Sequence, residues 1–168
     1  MGFFTRLFAG REELTPERFG RSLFDVALDR MRTLHAELDS MGVLARVPGV
    51  TTSKQYPVSL AIFSIAPLDQ LLAETPSVTT KRARVALRRA FKDKFRIQTP
   101  DEDPVLDSLL GTYARTARAG DVLGLGQLAA EAMGLEGEAE AEVLFVTSYT
   151  VGLDSYSSVI SEYERGTR

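Results

Sequence analysis

Seven apolar residues, Phe19, Leu23, Ala27, Met31, Leu34, Leu38 and Met41, recur at intervals of three or four. Only a helix turns such a spacing into one continuous face, and a chain with one face must find helices or sheets to cover it. Thr15 before Pro16 marks the start, because proline at the first helical position gives up no hydrogen bond. Gly42 marks the end. The same period returns downstream. Leu106, Leu109, Leu110, Tyr113 and Ala117 form a second apolar face, closed by Gly120, and Asp121 can cap a further helix to about Gly134. Phe145, Tyr149, Leu153, Tyr156, Ile160 and Tyr163 form a stripe in a last helix from about residue 138 to 164.

The expected fold is therefore all-α: an irregular bundle of six or seven helices around one core. An α+β arrangement is the alternative. It would use 58–65 (VSLAIFSI), where an apolar run does not separate buried strand from buried helix, and 143–151 (VLFVTSYTV), whose β-branched and aromatic residues suit a strand. Residues 45–57, with two prolines and a glycine, read as a long loop. Pro67 reads as the first turn of a short helix. Thr79 or Thr80 can cap the helix after it, and Thr99, Pro100 and Glu102 form a capping-box pattern for the next. Residues 1–14 read as an N-terminal amphipathic segment and 15–168 as a single helical domain.

Composition bounds the chemistry. The chain has 168 residues, no Cys and one His. That excludes disulfides, thiolate metal sites and thiol nucleophiles, and it excludes multi-His metal sites within one chain. The usual phosphate-loop and serine-elbow motifs are absent. No cofactor and no small-molecule ligand is indicated. The reading is a non-enzymatic protein-interaction domain, cytoplasmic, with self-association among its expected contacts.

Charge is where the sequence points to a partner. Residues 1–80 carry 8 basic and 9 acidic groups, 81–96 carry 8 and 1, and 97–168 carry 4 and 13. The net −3 thus conceals a block of +7. On a helical projection Lys81, Arg84, Arg88, Arg89, Lys92 and Arg96 fall on one side, and Ala83, Ala86, Leu87, Ala90, Phe91 and Phe95 on the other. A helix docked by its apolar side would turn those cations outward. They would then form a solvated face neutralised by the acidic C-terminal half, or meet an acidic protein, a nucleic-acid backbone or an anionic membrane. Phe3, Phe4, Leu7 and Phe8 are a candidate interface, within the chain, between copies, or with a membrane alongside the basic helix. The tyrosine-bearing last helix is a further apolar candidate.

Three weaker patterns have structural explanations at hand. GLGQLA at 124–129 resembles a dinucleotide-binding turn, but no strand precedes it, and small residues also serve close helix packing. His35 and Asp39 are spaced to pair on a helix. Asp25 with Asp29, and the glutamates 136, 138, 140 and 142, lack the ligand patterns of helical or loop metal sites.

Overall fold

The computed structural model describes residues 14–97 and 104–166, and among these it contains helices and no strand. The elements are α1 (Pro16–Ser40), α2 (Val43–Arg46), a 3-10 turn (Val50–Thr52), α3 (Gln55–Glu74), α4 (Val78–Phe95), α5 (Pro104–Arg118), α6 (Val122–Met133) and α7 (Ala139–Gly166). The all-α expectation holds, and both candidate strands are helical.

α1 starts as its sequence dictates. The Thr15 hydroxyl accepts from the Arg18 amide at 3.3 Å, with Pro16 in the first turn. Its inward face is Phe19, Leu23, Phe24, Ala27, Leu34 and Leu38. Met41 lies just past the helix end and is exposed.

The centre of the bundle is α3, which packs against α1, α4, α5, α6 and α7. It corrects three expectations. The loop expected at 45–57 holds the end of α2 and the 3-10 turn, and α3 begins inside it, at Gln55. Residues 58–65 are the middle of this helix. Pro67 lies within it and opens no new helix. A helix wrapped on all sides has no polar face, so its period fades and its length is hidden. Pro67 leaves the Phe63 carbonyl without its usual partner, and α7 covers that turn closely. A Cβ on Gly152 would lie 3.1 Å from the Pro67 ring. By length and composition α3 would cross a membrane, but most of it is buried inside this bundle.

Aromatic rings fill the space between α3, α5 and α7. Phe63 meets Phe145 at 5.1 Å and Tyr113 at 5.5 Å, both edge-on. The tyrosines of α7 belong to this core, since Tyr149, Tyr156 and Tyr163 are all buried. They are therefore not the exposed interface that their number suggested. Packing overrides the strand preference of 143–151. Thr147 and Thr150 donate to the carbonyls of Val143 and Val146, which satisfies the hydroxyls within the helix.

Two glycines set how closely helices cross. A Cβ on Gly20 would lie 2.2 Å from the Ala83 carbonyl oxygen, so α1 and α4 touch backbone to backbone. A Cβ on Gly126 would lie 2.7 Å from the Glu142 carbonyl oxygen, which brings α6 against α7 in the same way. Beside Gly20, at the start of α1, Phe19 stacks on Tyr163 at 3.8 Å, and the Tyr163 hydroxyl donates to the Leu14 carbonyl. The first and last described turns are thereby tied together.

Candidate basic groove on α4

The basic helix begins at Ser77, not at Thr79 or Thr80. The Ser77 hydroxyl accepts from the Thr80 amide at 3.0 Å, and the Thr80 hydroxyl accepts from the Ser77 amide at 3.1 Å. This reciprocal cap fixes the phase of α4. Ala83, Ala86, Leu87 and Phe91 are buried, as the projection required.

The six cations do not all turn outward. Lys81 and Arg89 are exposed. Arg88 retains only 16% of its side-chain exposure, Arg84 retains 35%, and Lys92 is buried. Arg96 has left the helical face: it caps α4 in the left-handed conformation at φ 55°. The physical reason for the inward turn is Asp69, a carboxylate on α3 with 4% of its side chain exposed. Arg84 donates Nε–H to Oδ1 at 2.9 Å and Nη2–H to Oδ2 at 2.8 Å. Arg88 donates the same pair at 2.7 and 3.0 Å. Both carboxylate oxygens thus accept two charge-assisted bonds, which exhausts their capacity. Arg88 reaches on to Asp107 of α5.

Burial by itself would raise the Asp69 carboxyl. The two guanidinium forks outweigh it and hold the group below the usual carboxylate range. The same contacts raise Arg88 against the opposing effect of its own burial. Asp69 was overlooked in the sequence, although its signal was present. A single acid inside LAIFSIAPLDQLL cannot be buried without cations, and Arg84 and Arg88, four apart on the next helix, were the available ones.

Of the acidic C-terminal half, Asp107 reaches α4, at Arg88. Arg82 pairs with Glu17 of α1 at 2.8 Å. Glu138 and Glu140 pair instead with Arg46. Beside Asp69 the polar chain continues away from α4. Tyr149 donates to Gln70 at 2.8 Å, Gln70 donates to Glu74 at 3.0 Å, and Arg118 donates to Glu74 at 2.7 Å.

What faces solvent is an open groove of about 480 Å³ along α4. Lys81, Arg84, Arg88, Arg89 and Lys92 line it, with Asp107 at its wall and Val85 between the cations. Val85 is 51% exposed. On its other side lies a second shallow groove of about 320 Å³, which includes Glu17, Arg82 and Arg89. Among the described residues, Lys81, Arg82, Arg84, Arg88, Arg89 and Lys92 stand around the two grooves together with Glu17, Asp69 and Asp107.

The other candidates resolve as follows. Phe3, Phe4, Leu7, Phe8 and the capping pattern at 99–102 lie outside the described residues. The His35 ring lies 3.1 Å from the Tyr56 hydroxyl, not paired with Asp39. Burial, with Asp39 nearby, pushes the Tyr56 hydroxyl up to about 12. Asp29 pairs with Arg32. In GLGQLA, Gly124 lies under the Asp121 carboxylate that caps α6, and Gly126 lies at the α6–α7 crossing. These are the packing roles of small residues. Among the described residues no three His, Asp or Glu side chains converge as a metal site would need. Comparison with known protein families, characterised proteins and solved structures finds no match to this chain.

Proposed function

We propose that this chain is a non-enzymatic helical interaction domain that docks an acidic protein segment along α4. The observation that carries the reading is the groove itself: an exposed valine, Val85, framed by the side chains of Lys81, Arg84, Arg88 and Arg89. An acidic segment with one apolar side chain matches that frame, with carboxylates to Lys81 and Arg89 and the apolar group against Val85. A nucleic-acid backbone matches it less well. A phosphate backbone presents no apolar side chain to cover Val85, whereas an acidic segment with one apolar residue does.

The test is fluorescence anisotropy with a labelled Asp/Glu-rich peptide carrying one leucine, run beside a DNA duplex of similar charge. The peptide is expected to bind at low salt and weaken as salt rises. Lys81→Glu with Val85→Glu should abolish binding while leaving the melting curve intact, because both side chains are exposed. No peptide binding at low salt overturns the proposal, as does binding that survives the double substitution. Duplex binding that is lost on the same substitution would assign the groove to nucleic acid instead.

A further inference from the structure

We propose, building on the acidic-segment reading of the α4 groove, that the segment docks as a helix whose two apolar anchors lie seven residues apart. α4 exposes a second large apolar side chain besides Val85. Val78, in its first turn, is 74% exposed, and Val85 is 51% exposed. Residues seven apart stand on nearly the same side of a helix, about 10 Å from each other along its axis. Lys81 and Arg82 follow Val78 by three and four positions, so they share its stripe and fill the interval between the valines.

Spacing selects the conformation of the occupant. An extended chain rises about 3.3 Å per residue and alternates its side chains, so those on one side recur at about 7 and about 13 Å. No such pair meets both valines. A helix repeats the period of α4 itself, and its residues i and i+7 meet Val78 and Val85 together. The surface is also the kind on which helices pack. Val85 stands between hollows of about 320 and 480 Å³, and Lys81 borders both. A second helix seats its own side chains in such hollows on either side of a ridge.

Charge selects the residues between the anchors. α4 carries seven Lys or Arg and one acid, Asp93. Lys81 is exposed, and Arg82 keeps 60% of its side-chain exposure while it pairs with Glu17. The partner positions that face this interval are therefore carboxylates. The pattern is leucine, two positions, two glutamates, two positions, leucine. An acidic helix of that pattern covers both valines and gains attraction from the cations between them.

The test is fluorescence anisotropy of the full chain at low salt with three labelled Glu-rich peptides. One carries leucines seven apart. The second carries them nine apart, on opposite sides of a helix. The third keeps the spacing of seven and has proline midway, which breaks the helix. The first should bind about tenfold more tightly than the other two, since it alone buries both leucines. Circular dichroism of that mixture should show more helix than the sum of its parts. Val78→Ser should remove the gain from the second leucine and leave the affinity of a one-leucine peptide unchanged, because it adds no charge and the side chain is exposed. Equal affinity for the three peptides overturns helical docking and leaves the acidic-segment reading standing. So does a gain from the second leucine that survives Val78→Ser. Failure of every acidic peptide to bind overturns both.

Discussion

Asp69→Ala is the substitution that most directly tests how the α3–α4 interface is held. It removes the acceptor of four charge-assisted hydrogen bonds and leaves two guanidiniums facing each other across a small void. Breaking a buried ion pair from one side costs about 3–5 kcal/mol. Here the lower end applies. Arg84 is one-third exposed and can turn into solvent, and Arg88 keeps Asp107. About 3 kcal/mol corresponds to a fall of roughly 6–12 °C in Tm for a chain of this size. Urea denaturation should show a lower midpoint with an unchanged slope, because the folded core is retained. Arg88→Ala should cost less, since Arg84 still satisfies half of Asp69. The double variant should lose at least about 1 kcal/mol less than the sum, because with Asp69 gone Arg88 has already lost two of its bonds and only Arg84 is left without its acceptor. Additivity within about 0.5 kcal/mol would refute the reasoning, as would an Asp69→Ala midpoint equal to the parent's. The pH dependence has a definite sign. Asp69 titrates lower in the folded than in the unfolded chain, so its contribution is complete above the ordinary carboxylate range. It is lost only as pH falls through the depressed value. The parent should therefore show no Asp69-dependent change in stability between pH 5 and 8, and the gap to Asp69→Ala should close only in strong acid. The same variant releases Arg84 from Asp69 while Arg88 keeps Asp107, so it should bind an acidic peptide more tightly while being less stable.

Gly20→Ala places a methyl carbon 2.2 Å from a carbonyl oxygen of the facing helix, so α1 and α4 must separate. The cost should be about 1–3 kcal/mol or more, read as a lower Tm, whereas Gly137→Ala probes only backbone strain because nothing lies near its Cβ. Tyr149→Phe removes a buried hydroxyl at 2.8 Å from Gln70 and leaves that amide oxygen unpaired. The expected loss is about 1–2 kcal/mol in urea denaturation, with secondary structure unchanged.

What could be read from the sequence, and what could not, follows one physical rule. α1 and the Tyr149–Tyr163 stretch of α7 each bury one side and expose the other, so their periods appear in the residue order. α3 is buried on every side; nothing in its order separates inside from outside, and Pro67 then reads as a boundary. The basic block illustrates the same limit for charge. A helical projection reports which cations share a face, but not which carboxylates the fold will set opposite. Arg84 and Arg88 were visible as neighbours of Lys81 and Arg89, yet a single acid twelve residues before the block divides the four. Two serve as the internal clamp of α3 to α4, and two stand at the surface. The clamp and the groove are consequently one device. Asp69 draws the guanidiniums of Arg84 and Arg88 inward and fixes α4 by its charged edge. That leaves Val85 at the crest between two shallow hollows, with Lys81 and Arg89 beside it. A chain that placed leucine at position 69 would have to pack or expose both arginines anew, and the groove would change shape with them. The buried acid thus sets the shape of the surface it does not itself reach.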